Sequence, residues 1–150
     1  MPLRTILAIT FWGVSLNVQA NADCEISIDA NDIMQFSSKI LSVPVSCKEV
    51  KLTLNHTGKM PAQSMGHNIV ITDSENVQAV GTDGMSAGFE NNYLKPADDR
   101  VYASTKVIGG GESTSVIFNT EKMSPVGDYT FFCSFPGHWG IMQGKFELTS

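Results

Sequence analysis

The stretch Cys47–His56, "CKEVKLTLNH", alternates the apolar residues Val50, Leu52 and Leu54 with Lys51 and Thr53. A repeat of two puts the apolar side chains on one face of an extended strand and the polar ones on the other. Similar segments lie on both sides of it. "CEISIDA" (24–30) precedes it; "HNIVIT" (67–72), "RVYASTKVI" (100–108), "STSVIFN" (113–119), "DYTFFCSF" (128–135) and "QGKFELT" (143–149) follow. Turn-forming "GKMP", "IGGGES" and "MSPVGD" separate them. Short strands at this spacing predict an all-β protein, an antiparallel sandwich or barrel with Greek-key connections. The interval from Asp73 to Asp99 is too long for a hairpin. "SENVQAVGTDGMSAGF" inside it predicts one short, glycine-loosened helix lying against the sandwich.

The 150 residues suffice for one domain with a sizeable core, and 42% hydrophobic with 17% charged residues is a globular composition. The first 22 residues stand apart. Arg4 is followed by the apolar run "ILAITFWGVSL" (6–16), too short to cross a bilayer, and by the small-x-small pattern Ala20-Asn21-Ala22. Residues 1–22 therefore read as a secretory signal peptide and 23–150 as the mature domain. Asp23 stands where a lipid-attachment signal at Cys24 needs a small residue, which disfavours an anchor. Once Arg4 is removed, nine basic residues face fifteen acidic ones, a net charge of −6. Such a chain, without a basic cluster, excludes nucleic acid and anionic membrane surfaces as partners.

Export implies an oxidising compartment in which disulfides persist. Three cysteines allow three single pairings and always leave one thiol over. Cys24 and Cys47 lie on segments that read as neighbouring strands, so we pair them and leave Cys133 free. Closing that loop stabilises the fold by roughly 3 kcal/mol in the chain-entropy model. Cys133 by itself is equally well a buried, inert small side chain.

Its surroundings argue otherwise. "FFCSFPGHWGIM" (131–142) spaces Cys133, His138 and Met142 as Cys-x4-His-x3-Met, with Pro136 and Gly137 bending the chain between them. A further ligand must come from elsewhere. "Met65-Gly66-His67-Asn68" opens a predicted strand and offers His67; His56 has no soft ligand near it and reads as structural. Thiolate and thioether suit Cu(I) and imidazole suits Cu(II), while zinc also accepts such a set but prefers a tetrahedral site without a long thioether contact. Two His, one Cys and a weak axial Met are the blue-copper arrangement. "GGGES" (109–113) lacks the ending of a phosphate loop, "DANDI" (29–33) falls short of a calcium loop, and Asn55-His56-Thr57 is a glycosylation pattern short enough to recur by chance.

"CEISIDANDIMQF", "MGHNIVIT", "TDGMSAG", "YLKPADDRV", "GGGESTSVIF" and "FFCSFPGHWGIMQGKFEL" together resemble the azurins, a branch of the cupredoxin family of type 1 blue copper proteins, from Cys24 to Ser150. The resemblance implies an eight-stranded Greek-key sandwich with a helical flap near residues 75–88. It implies copper surrounded by the Gly66 carbonyl, His67, Cys133, His138 and Met142, and a disulfide matching Cys24–Cys47. Asn68, with Ser134 and Phe135, then belongs to the layer around the ligands, and His56 matches a histidine near the site that does not bind. Ile69 stands where some members bury a tryptophan, and Gly140 where others carry larger residues. Trp139, beside His138, is expected to face outward.

Three strong in-plane ligands and a covered axial position leave no opening for a substrate. The expectation is a periplasmic one-electron carrier and not an enzyme. Met60, Met65, Met85, Phe135, Pro136, Gly137, Trp139 and Ile141 are expected to form an apolar patch through which electrons leave at the His138 edge. The implied partners are c-type cytochromes or respiratory reductases, docking transiently on a monomer. The alternative is a periplasmic copper-binding protein that protects against copper stress.

Overall fold

A computed structural model describes residues 24–150; the predicted signal peptide, and Asp23 after it, lie outside the described residues. The period-two segments fold as strands: β1 (Glu25–Ala30), β2 (Ile40–Pro44), β3 (Glu49–His56), β4 (Val70–Asp73), β5 (Val101–Ser104), β6 (Ser113–Asn119), β7 (Tyr129–Phe132) and β8 (Gln143–Thr149). Two α-helices interrupt them, the single turn α1 (Ala62–Met65) and the longer α2 (Val77–Ala87), the latter flanked by short 3-10 turns at Ser74–Asn76 and Phe89–Asn91. The strands make one sheet ordered β1-β3-β6 and another ordered β2-β8-β7-β4-β5.

The alternation read in β3 holds: Val50, Leu52 and Leu54 are completely buried, while Lys51 points to solvent. Those three side chains meet Phe131 and Phe146 of the five-stranded sheet in the core between the sheets. Burying each such side chain is worth about 1.5–3 kcal/mol relative to exposure, and the apolar faces hold the sheets together.

The sandwich is mixed and not purely antiparallel. β1 pairs parallel with β3, and β2 parallel with β8. β2 is the strand that the sequence pattern passed over. Leu41 and Val43 do alternate inward there, but the strand is short and ends in Pro44. A proline is tolerated because β2 lies on the sheet edge, where a missing N–H breaks no ladder.

β7 is buried along its whole length. It is the central strand of its sheet, with the core on one face and α2 on the other, so a continuous apolar run replaces alternation. α2 places Val77 and Val80 against Val70, Phe132 and Leu94 in a second, smaller cluster outside the sheet. Cys24 and Cys47 are joined by a disulfide with a Cα separation of 5.5 Å, and Cys133 is free and buried.

Candidate metal centre

β7 ends one residue before Cys133, and the chain then winds through consecutive turns. Gly137 makes the bend with a φ of +83°, a conformation that costs a residue with a Cβ. His138 N–H donates to the Phe135 carbonyl at 2.9 Å. Ile141 and Met142 N–H both donate to the His138 carbonyl, at 3.0 and 2.8 Å. Cys133 N–H donates to the Met142 carbonyl at 3.0 Å and closes the loop on itself. These bonds bring the predicted Cys, His and Met back to one place, and Met142 is fully buried.

His67 arrives on the segment that leads into β4, the strand paired with β7. The strand predicted from residue 67 begins at Val70; His67 instead forms an isolated two-bond bridge with Ile108. Its Nδ1 lies 3.8 Å from Cys133 Sγ, and His138 Nδ1 lies 3.6 Å from the same sulfur. One donor atom from each of the three residues falls within 4.8 Å of the others. The Gly66 carbonyl oxygen is 3.9 Å from Sγ.

These donors fit a soft or borderline metal ion. His67 Nε2 lies 2.8 Å from the Asn31 carbonyl, a group that only accepts, so Nε2 carries the proton and Nδ1 turns its lone pair toward the sulfur. Two imidazole nitrogens and one sulfur, all buried and without a carboxylate among them, form the soft, nitrogen-rich set that copper or zinc prefers. Burial also sets the charge states. It holds the His67 pKa down to about 4, helped by the neighbouring His56 and His138 and opposed by the Asn31 bond. Burial likewise lowers His138. Burial pushes the Cys133 thiol up to about 12, although the Asn68 and Phe135 amides face the sulfur and pull it back. Both imidazoles are therefore ready to bind at neutral pH, whereas the thiol must give up its proton to a metal.

Asn68 ties the two ligand segments together. Its Oδ1 accepts from Ser134 N–H at 2.9 Å, and its Nδ2 donates to Ser134 Oγ at 2.8 Å and to the Asn92 carbonyl at 3.0 Å. His56 is structural, as read. It is buried, with one ring nitrogen 2.9 Å from the Met65 carbonyl and the other accepting from Gly58 N–H, and its ring centroid lies 4.5 Å from that of His67.

Of the expected surface patch, Met60 (39% exposed), Met85 (44%) and Ile141 (55%) face solvent, as does Gly137; Met65 and Pro136 are half-buried. Two members are misplaced. Phe135 is buried, packed edge-on to Tyr93 at 5.1 Å and against His138 at 4.7 Å between centroids, so it supports the ligand from beneath. Trp139 does not face outward; it is half-buried against Gly81 of α2 and the outer apolar cluster. Ile69 is fully buried, and nothing lies within 4 Å of a Cβ placed on Gly140.

The sequence reading missed Asn31, Asn92 and Gly81. Asn31 and Asn92 act through backbone carbonyls, which any residue supplies, and the need for Gly81 appears only once Trp139 lies against it. A groove of about 820 Å³ runs along β5 and β6 but includes none of the metal donors.

The chain has relatives. The family of copper binding proteins described as the plastocyanin/azurin family matches residues 22–149. An azurin of Alcaligenes faecalis is 53% identical over 127 residues, covering 85% of this chain and 99% of that protein. An azurin of Achromobacter denitrificans is 48% identical over 150 residues, the whole of both. Among solved structures, the azurin Az-iso2 from the obligate methylotroph Methylomonas sp. strain J matches with a TM-score of 0.83 at 43% identity, covering 86% of this chain and 100% of that one.

Proposed function

Given that the chain belongs to the plastocyanin/azurin family and is a blue copper electron carrier and not an enzyme, we propose that Gly66, His67, Cys133, His138 and Met142 surround its one copper ion. The convergence of His67, Cys133 and His138 donors within 4.8 Å carries this reading. Bound there, copper supplies one-electron chemistry by alternating between Cu(I) and Cu(II).

The residues supply the rest. Asn31 fixes the His67 tautomer, Asn68 holds the His67 segment against the Cys133 loop, and burial keeps water from the donors. Of the four ligand side chains only His138 keeps any exposure, 4% against 0% for the others. Electrons therefore pass at the His138 edge, framed by Met60, Met85, Gly137 and Ile141. An apolar rim with adaptable methionines suits a small, short-lived interface with more than one redox partner. The partners are c-type cytochromes or respiratory reductases, and the protein works as a periplasmic monomer after loss of residues 1–22.

The test is the visible spectrum of the copper-loaded protein. An intense thiolate-to-copper band that Cys133→Ser abolishes is expected; a colourless copper-loaded protein rejects the reading. Mixing the reduced protein with an oxidised c-type cytochrome then separates carrier from copper store. Electron exchange within seconds is expected of the carrier, and none of the store.

A further inference from the structure

Helix α2 carries glycines at 81 and 84, each about 1 kcal/mol worse than alanine in a helix interior. Both are explained by what lies against them. A Cβ on Gly84 would stand 2.1 Å from the Tyr93 carbonyl oxygen. A Cβ on Gly81 would stand 3.1 Å from Trp139 Cγ and Cδ1 and 3.3 Å from Cδ2, so the indole lies flat on the bare Cα. Trp139 directly follows His138, and the His138 carbonyl is the acceptor that closes the outer half of the ligand loop. The second glycine serves the same end. The backbone beside Tyr93 continues from Asn92, whose carbonyl accepts from both Asn68 and Ser134, and the Tyr93 ring packs on Phe135. α2 thus abuts the ligand loop from two directions, and only one contact is made by a side chain of the loop itself.

We propose that Trp139 is a positioning residue for His138: seated on Gly81, it fixes the ligand loop to α2 and thereby holds the imidazole at its angle to Cys133. The proposal rests on the copper reading for its consequence in electron transfer, but the clamp itself belongs to the protein alone. The two tryptophans of the sequence are Trp12 and Trp139, so in the chain without residues 1–22 the fluorescence reports Trp139 alone.

The experiment compares Trp139→Ala, Trp139→Phe, Gly81→Ala and Val80→Ala. Val80 is fully buried in the same outer cluster and serves as a control for lost packing. In the metal-free protein, amide exchange at Ile141 and Met142 should speed up at least tenfold in Trp139→Ala. Trp139→Phe should fall in between, and Val80→Ala should change these amides only as far as global stability changes. In the loaded protein the visible band should shift in the same order. Exchange unchanged in Trp139→Ala, equal loosening by Val80→Ala, or a band that Trp139→Ala leaves in place overturns the proposal. If Trp139→Ala does not fold, Gly81→Ala decides. Greater acrylamide quenching of Trp139 together with faster Ile141 and Met142 exchange supports the clamp, and wild-type values of either overturn it. Failure of the copper reading shows separately, as a wild-type protein without the band whose metal-free exchange pattern still follows the clamp.

Discussion

Asn68 shows how much a single buried side chain carries. It is fully buried, and its carbonyl oxygen is the partner of Ser134 N–H, the residue after the thiol. Asn68→Ala leaves that N–H without an acceptor in the interior, at a cost of about 2–3 kcal/mol. Denaturant unfolding of the metal-free protein should show that loss, with a visible band displaced in the loaded protein as Cys133 loses its tether to the His67 segment. Met142 is a different case: as the thioether proposed among the copper ligands, it would tune the ion more than bind it. Met142→Leu is expected to retain copper, by metal analysis, and to raise the reduction potential in a redox titration. Loss of the metal would instead make Met142 a principal ligand.

At the scale of elements, α2 is fastened at its far side by charge. Arg100, at the entry to β5, donates to Asp98 from Nε at 2.8 Å and from Nη2 at 2.5 Å, and reaches Asp83 on α2 at 2.6 Å. The hydrogen bonds from Arg100 hold the buried Asp98 carboxyl below its usual range, against the opposing effect of burial. A carboxylate with a depressed folded pKa binds its proton more readily when unfolded. Its contribution is therefore complete above the unfolded value near 3.8 and is lost as pH falls through the folded value. Thermal midpoints of wild type and Asp98→Asn should be well separated at neutral pH and converge below about pH 4. A constant gap down to acid pH would show that Asp98 acts only through shape.

For the whole molecule, the disulfide and the metal donors occupy opposite poles. β3 begins just after Cys47 and ends at His56, and eight residues at about 3.3 Å each span roughly 26 Å. Replacing both Cys24 and Cys47 by Ser should lower the unfolding free energy by about 3 kcal/mol, through a freer unfolded chain. The visible band should stay where it is, since the bond lies too far away to move a ligand. A shifted band would show that the two poles are mechanically coupled.

Periodicity and ligand chemistry are local properties, and they were legible from residues alone. The alternation of Val50, Leu52 and Leu54 named a two-faced strand, and Cys-x4-His-x3-Met on a Pro-Gly bend named a soft metal loop. β2 escaped because its pattern is short and its proline is harmless only at an edge, which is a property of the sheet. The parallel pairings escaped because two strands of one sequence pattern can pair either way. What the sequence determined by itself was which side chains turn inward and which atoms suit copper. Tertiary structure alone decided that the Asn31 carbonyl sets the His67 tautomer, that Phe135 lies beneath His138, and that Trp139 turns in upon Gly81. Each of those depends on where a distant segment comes to rest, and no periodicity in the chain encodes that distance.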